Sequence, residues 1–272
     1  MSQRAIKLPK PSPQPRHIMV AVLSEEERRG WVNPRLVTTL LRIAFDRRFK
    51  ITYTPIHACY PVSAARNLAV ELFLKSDAET LVFFDNDVYP PDNIADAIAS
   101  MPPKCDVAVM PYWIWGPDNF TVPCFGRWTD GMMVAPDPAT IKPGWQIMGS
   151  GGTGCMFIRR RVFTSGKLEE PFFKIISDAH KGQVVSEDVY FTGHVTDSGM
   201  QVWINADFIC SHLRTIDLKE VNMGIVKILD RFTRKLTESY GDNGVKLCSL
   251  IQELHPELKE AAEAFEAGKA TP

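Results

Sequence analysis

One segment constrains the fold more than any other feature of the chain. It is residues 80–91 (TLVFFDNDVYPP), in which an apolar stretch is followed directly by two aspartates, Asp85 and Asp87. The four apolar residues 81–84 are typical of a strand that is covered on both faces. Such strands lie in sheets with helices on either side, where ligands bind beyond the carboxyl ends of the strands. The segment therefore predicts a buried strand of an α/β protein, with Asp85 and Asp87 at its functional end.

Apolar runs alternate with amphipathic segments along most of the chain. Strands are predicted at 17–23, 50–55, 80–84, 106–111, 154–159 and 202–209, and helices begin near 34, 63, 92 and 186. This alternation is typical of a mostly parallel sheet flanked by helices. The stretch 113–149, rich in proline, glycine and tryptophan, predicts a long functional loop or a small ribbon over the site.

The 272 residues suit one large domain with additions at both ends. Residues 1–16 contain alternating prolines and are expected to form an extended or disordered leader. Residues 17–215 are expected to form the catalytic domain. In 216–272, apolar residues recur at helical spacing, which predicts a C-terminal helical extension that packs on the parent core.

Composition and charge exclude several classes of protein. The net charge is −1, from 31 Lys and Arg against 32 Asp and Glu, so no nucleic-acid partner is expected. The six cysteines are scattered without a Cys-x-x-Cys pair and are expected to be reduced core residues. No run reaches the roughly 18 apolar residues of a membrane span. Since the leader also lacks the apolar centre of a signal peptide, we expect a soluble, cytoplasmic protein.

The spacing of Asp85 and Asp87 suits a metal ion. Hard carboxylate oxygens bind Mg²⁺ or Mn²⁺, and either ion can bridge the phosphates of a nucleotide. Acidic turns also follow buried strands in proteins without metal, so the pattern needs support from elsewhere in the chain. Four further features provide it: the pair Arg66 and Asn67, the glycine-rich segment 149–154, the pair Glu187 and Asp188, and His212.

Each of these features also has an ordinary structural interpretation. Arg66 could form a salt bridge on a helix surface, and Glu187 and Asp188 could stabilise a helix N-terminus. The glycines allow close backbone approach, but they lack the Gly-Lys-Ser/Thr ending of a phosphate-binding P-loop. Trp113 and Trp115 could stack on a sugar ring or form the private core of their loop.

The Arg-Asn pair, the strand with its two aspartates, the glycine-rich segment, the acidic pair and the histidine follow one another in an order that resembles the GT-A fold glycosyltransferases. The resemblance is to the family 2-like group in particular, and to its short bacterial and phage members. The resemblance covers roughly residues 17–215 and lies in VAVLS at 20–24, SAARNLAVE at 63–71, FFDNDVYPP at 83–91, GSGGTGCMFIRR at 149–160, SEDVYF at 186–191 and CSHL at 210–213. It implies a GT-A α/β fold and metal-dependent transfer of a sugar from a UDP- or GDP-sugar. The acceptor would be a hydroxyl group of a glycan, a protein or a small molecule.

The resemblance also implies roles for single residues. Asp87 would bind Mn²⁺ or Mg²⁺ directly, His212 would complete the metal shell, and Asp85 would contact the ribose or a metal-bound water. The other residues expected to bind the donor are Arg66 and Asn67 near the base and diphosphate, Ser24 at the nucleoside, Asn86 in the turn between the aspartates, and Gly152 and Thr153 by the donor sugar or acceptor.

For catalysis, the resemblance makes Asp188 the base that takes the proton of the acceptor hydroxyl, while Glu187 orients the acceptor or the base. An inverting route is favoured, and a retaining route stays open. Two other functions also stay open. One is a non-catalytic carbohydrate- or nucleotide-binding protein on the same fold. The other is a nucleotidyltransferase, although the early glycine-rich loop with a basic residue that is usual there is missing.

Overall fold

The computed structural model of the chain describes residues 14–24, 32–57, 60–115, 121–137, 140–178 and 183–213, with the isolated positions 234 and 238. The chain forms two compact units. The first comprises residues 1–114 and 123–213, and the second comprises residues 115–122 and 214–272. The predicted C-terminal extension and most of the predicted leader lie outside the described residues, so the predicted domain boundaries stay predictions.

The strands are, in chain order, β1 (Arg16–Ser24), β2 (Phe49–His57), β3 (Thr80–Asp85), β4 (Val88–Tyr89), β5 (Val107–Val109), β6 (Trp113–Trp115), β7 (Thr121–Pro123), β8 (Phe125–Thr129), β9 (Met132–Val134), β10 (Trp145–Ile147), β11 (Gly149–Gly151), β12 (Cys155–Arg159), β13 (Ile176–Asp178), β14 (Gln183–Val185), β15 (Val202–Asn205) and β16 (Ser211–His212). The helices are α1 (Pro34–Ala44), α2 (Val62–Lys75), α3 (Ile94–Ser100), α4 (Arg160–Thr164) and α5 (Glu187–Asp197). Among the described residues, no helix is long and apolar enough to cross a membrane.

Seven strands form the central sheet of the first unit, in the order β10, β15, β5, β12, β3, β1, β2. The strands β2, β1, β3, β5 and β15 run in one direction, whereas β12 and β10 run in the other. The carboxyl ends of β1 and β3 therefore lie side by side at one edge of the sheet. The predicted α/β class with a mostly parallel central sheet is confirmed.

Helices cover both faces of the central sheet. Successive side chains of a strand point to opposite faces, so even- and odd-numbered residues pack against different helices. Phe84 and the even-numbered residues of β1 pack with α1 and α3, and Phe83 and the odd-numbered residues pack with α2, α4 and α5. Phe83 and Phe84 are both completely buried, and burial of each side chain contributes about 1.5–3 kcal/mol. The continuous apolar run in β3 thus reflects burial on two sides.

Short strands replace much of the predicted loop at 113–149. β8 pairs with β9 and β11 in a three-stranded sheet, so the alternative of a small ribbon is the one that the structure shows. β10 was not predicted, because three residues are too few to show periodicity, yet it forms an edge of the central sheet. The helix predicted to begin near 92 is α3, which starts at Ile94 with Asn93 at its N-cap, and Asp92 forms an ion pair with Arg42.

The prediction that the cysteines are reduced core residues is confirmed for four of them. Cys105, Cys124, Cys155 and Cys210 are free and buried. Cys59 and Cys248 lie outside the described residues. Burial raises the pKa of the Cys124 thiol to about 12, so this thiol stays protonated at neutral pH.

Candidate functional site

A pairing of two short strands brings His212 to the turn that follows β3. β16 pairs antiparallel with β4, with His212 opposite Val88, and the backbone N–H of Leu213 donates to the carbonyl of Asp87 at 3.0 Å. β3 ends at Asp85, directly before this turn. Residues that are more than a hundred positions apart in sequence therefore meet at the carboxyl end of a central strand.

Asp87 and His212 contact each other through their side chains. The distance from His212 Nε2 to Asp87 Oδ2 is 3.2 Å, and His212 Nδ1 lies 3.1 Å from the carbonyl oxygen of Trp113. Because a carbonyl can only accept, Nδ1 carries a proton and donates it. This contact fixes the ring and directs Nε2 toward Asp87. The His212 side chain is 6% exposed, and that of Asp87 is 48% exposed.

The spacing of this pair fits two ligands of one divalent ion. Two ligand atoms at about 2.0–2.2 Å from an ion, at octahedral or tetrahedral angles, lie roughly 2.8–3.6 Å apart. A ring nitrogen that donates to a carbonyl is also the usual arrangement behind a metal-bound histidine. Within the described ranges, no three His, Cys, Asp or Glu side chains form a group that could hold a metal ion. The remaining ligands would have to come from water or substrate, as is common for Mg²⁺.

Asp85, the third predicted metal residue, is instead paired with Arg66. Nη1 and Nη2 of Arg66 donate to the two carboxylate oxygens of Asp85, both at 3.1 Å, and Nε donates to Glu187 at 3.1 Å. The side chains of Arg66, Glu187 and Asp85 are 4%, 9% and 25% exposed. The guanidinium thus joins three elements, α2, β3 and α5, in one buried ion network.

Burial and charge act against each other on this network. Burial raises the pKa of Glu187, and the positive charge of Arg66 partly offsets that effect. For Arg66, burial acts to lower the pKa, but the carboxylates of Asp85, Glu187 and Asp188 together raise it above its usual range. Arg66 is therefore always charged, while the pKa of Glu187 stays raised despite this positive partner.

Asp188 lies beside Glu187 in the first turn of α5 but in a different environment. It is half-buried, and its Oδ1 accepts from the Ser186 hydroxyl and, at 2.8 Å, from the backbone N–H of Val189. These bonds also stabilise the start of the helix. Of the two predicted catalytic carboxylates, Asp188 is thus the one that Arg66 does not bind directly.

The other predicted donor residues make contacts within the fold. Asn67 donates to the carbonyl of Phe173 at 2.8 Å and accepts from its N–H at 3.0 Å, so its amide joins α2 to that segment. Asn86 Oδ1 accepts from the backbone of Asn33 at the start of α1. Ser24, at the carboxyl end of β1, lies 2.6 Å from Nδ1 of His57 at the end of β2.

The glycine-rich segment packs closely against Tyr112. The backbone N–H of Gly154 donates to the Tyr112 hydroxyl at 3.2 Å, and the carbonyl of Gly154 accepts from Asp85 N at 3.0 Å. A Cβ on Gly152 would collide with the Tyr112 hydroxyl. Thr153 is 1% exposed, and among the described residues its hydroxyl has no hydrogen-bond partner. The segment therefore lies next to Asp85, and the contact of Gly152 and Thr153 with the donor sugar or acceptor stays a prediction.

Sequence reasoning missed two polar residues at this edge. Tyr112 follows β5, and its ring edge contacts His212 with 5.4 Å between the ring centroids. His57 is the last residue of β2 and contacts Ser24. The available signal for both was their position at the carboxyl end of a parallel strand, where ligands bind in open α/β sheets. Burial raises the pKa of Tyr112 well above its usual range, so its hydroxyl stays protonated.

The chain matches no family model and no curated protein sequence. Among solved structures, it is similar to A197 from STIV, with a TM-score of 0.51 and 21% identity over 73% of this chain and 86% of that chain. GalNAc-T7 solved with UDP, GalNAc and Mn²⁺ gives a TM-score of 0.42 at 12% identity, over 90% of this chain and 55% of that chain. TarS of S. aureus gives 0.43 at 13%, over 79% and 39%. The likeness to A197 shows that this chain shares the fold of that protein, and the predicted α/β class with a mostly parallel central sheet holds for the described residues.

Proposed function

We propose that the chain is a metal-dependent glycosyltransferase that transfers a sugar from a UDP- or GDP-sugar to a hydroxyl acceptor. The observation that carries the proposal is the contact between Asp87 and His212 at 3.2 Å, at the carboxyl end of β3. A contact from His212 to the Trp113 carbonyl directs the ring toward Asp87. Ligand-type atoms at this spacing, beside a buried network of carboxylates, support a site for a divalent ion and a diphosphate.

Asp87 and His212 would hold Mn²⁺ or Mg²⁺ at this site. The bound ion would supply positive charge against the diphosphate that leaves with the nucleotide. Asp85 is proposed to contact the ribose or a metal-bound water. Arg66 donates to both of its carboxylate oxygens. In this arrangement the carboxylate keeps a fixed orientation before any substrate arrives.

Arg66 is proposed to position carboxylates, which replaces the earlier expectation that it binds the diphosphate. All three of its side-chain nitrogens already donate to Asp85 and Glu187, and the side chain is 4% exposed. These bonds use three of the five N–H groups of Arg66, and a phosphate would reach the other two only if the packing around this buried side chain opened. For Asn67, whose amide is bound to the backbone of Phe173, we likewise propose a role in packing instead of donor binding.

Asp188 is proposed to act as the general base of an inverting transfer. It would accept the proton of the acceptor hydroxyl while that oxygen attacks the anomeric carbon and the bond to the diphosphate breaks. The half-buried position of Asp188 and its ionic neighbours support this choice over Glu187, which Arg66 holds. Glu187 would orient Asp188 or the acceptor from the same helical turn.

Calorimetry of nucleotide binding tests the proposal. UDP, GDP and their sugar derivatives are titrated into the wild type, with and without Mn²⁺, and into Asp87→Ala. The matched control is Asp77→Ala, which removes an exposed aspartate that precedes β3 at the opposite end of the strand. Mn²⁺-dependent binding that Asp87→Ala abolishes and Asp77→Ala retains would support the proposal. Nucleotide binding without turnover of any sugar donor would favour a non-catalytic binding protein, and no binding at all would contradict a donor site.

A further inference from the structure

Tyr112 connects two parts of the site that are far apart in sequence. Its ring edge contacts the ring of His212, with centroids 5.4 Å apart and an interplanar angle of 78°. Its hydroxyl accepts from the backbone N–H of Gly154 at 3.2 Å. The residue is 5% exposed, so packing holds both contacts in place. One side chain therefore contacts a proposed metal ligand and the glycine-rich segment at the same time.

The surroundings of Tyr112 leave it little freedom. Its carbonyl accepts from Cys124 N at 2.9 Å, and the carbonyl of Cys124 accepts from Gly152 N at 2.9 Å. A Cβ on Gly152 would collide with the Tyr112 hydroxyl and the Cys124 sulfur, and a Cβ on Gly154 would lie 3.0 Å from the hydroxyl. The absence of side chains at these two positions thus makes room for the phenol. Two hydrogen-bonded steps join its backbone to the segment that its hydroxyl also binds.

We propose that Tyr112 is a positioning residue that sets the orientation of His212 toward the metal and the position of the segment 152–154 relative to that ion. The inference rests on the proposed function, because it assigns His212 to a metal site. The ring edge limits rotation of the imidazole, in addition to the bond from Nδ1 to the Trp113 carbonyl. The hydroxyl holds the backbone N–H of Gly154, whose carbonyl in turn binds the N–H of Asp85.

The two contacts can be separated by substitution. Tyr112→Phe keeps the ring against His212 and removes the bond to Gly154, whereas Tyr112→Leu and Tyr112→Met remove the ring edge as well. Phe73→Leu is the matched control, because Phe73 is a buried ring in α2 that contacts Phe163 instead of His212. Binding of Mn²⁺ alone is measured by electron paramagnetic resonance, and binding of UDP in the presence of Mn²⁺ by calorimetry.

We expect Tyr112→Leu and Tyr112→Met to weaken Mn²⁺ binding about 10–100-fold, as is typical when a group that orients a metal ligand is lost. Tyr112→Phe should leave Mn²⁺ affinity within about 2-fold and weaken UDP binding about 3–10-fold, because the neutral hydrogen bonds of the hydroxyl with Gly154 and Cys124 are lost. Phe73→Leu should leave Mn²⁺ affinity unchanged. In a His212→Ala background, Tyr112→Leu should have no further effect on Mn²⁺ binding, since it would act through that ring.

Different results would contradict the positioning role of Tyr112 and the proposed function. If the wild type binds neither Mn²⁺ nor UDP, the proposed function fails and the inference fails with it. If the wild type binds both, and folded Tyr112→Leu or Tyr112→Met binds Mn²⁺ equally well, the positioning role is wrong while the metal site stands. If neither variant folds, Tyr112→Phe decides: a loss of Mn²⁺ affinity as large as its loss of UDP affinity would overturn the separation of ring and hydroxyl.

Discussion

Replacement of Arg66 by methionine should destabilise the protein far more than loss of an ordinary surface cation. The change removes the positive partner of Asp85 and Glu187 and leaves two carboxylates in a site where Arg66 itself is 4% exposed. Removal of one partner from a buried ion pair typically costs about 3–5 kcal/mol. Because Asp85 is 25% exposed and water can reach it, we expect the lower half of that range.

Urea denaturation at pH 7 gives the free energy of unfolding, and a thermal scan should show a Tm lower by roughly 6–16 °C for a loss of about 3–4 kcal/mol. The control is Arg42→Met, which breaks the ion pair with Asp92 and leaves that carboxylate exposed. Exposed pairs of this kind contribute about 0–1 kcal/mol. A loss in Arg66→Met no larger than in the control would refute the interpretation of the buried network.

The pH dependence provides a second check on the same variant. Burial already raises the pKa of Glu187, and loss of Arg66 removes the charge that offsets this effect. A group whose pKa is raised in the folded state destabilises that state above its raised pKa, and this penalty vanishes below its ordinary pKa. The destabilisation of Arg66→Met should therefore shrink as the pH falls from 7 toward 4.5. A loss that is constant or grows over this range would contradict the assignment of Glu187 as the affected group.

Glu187→Gln should become more stable relative to the wild type as the pH rises from 4 to 8, because only the wild type must ionise a buried carboxyl whose pKa is raised. Urea denaturation measures the difference in the free energy of unfolding, and a difference independent of pH would argue against this reason. Asp188→Asn should lower kcat about 10²–10⁴-fold with nearly unchanged donor binding by calorimetry, and full activity would exclude Asp188 as the base. Asn67→Ala removes two hydrogen bonds to the backbone of Phe173 and should lower the free energy of unfolding by about 1–3 kcal/mol without changing Mn²⁺-dependent UDP binding. A selective loss of UDP binding would restore the predicted donor role of Asn67.

The central sheet could be predicted because its strands show burial on both faces in the sequence itself. The run ending at Asp85 and the alternation with amphipathic helices point to an α/β sheet without knowledge of any contact. β10 and β4 were missed, since strands of two or three residues show no period and form only through pairing with distant partners. Tertiary context decides such strands.

The residues of the site were easier to predict than their contacts. Asp87 and His212 were selected by chemistry and order, and the structure brings them together through the pairing of β4 and β16. A surface salt bridge was one alternative for Arg66, but its burial and its pairing with Glu187 could not be foreseen, because Glu187 lies 121 residues away in sequence. Tyr112 was missed for the same reason: a tyrosine after a strand shows nothing of the ring that it will contact.

The most direct test of the proposed metal site is a crystal structure of the chain grown with Mn²⁺ and UDP, with the anomalous signal of manganese measured. The proposal predicts an anomalous peak at about 2.0–2.2 Å from both Asp87 Oδ2 and His212 Nε2, with phosphate oxygens of UDP in the remaining positions. A manganese peak elsewhere, or UDP bound with no ion near Asp87 and His212, would contradict it.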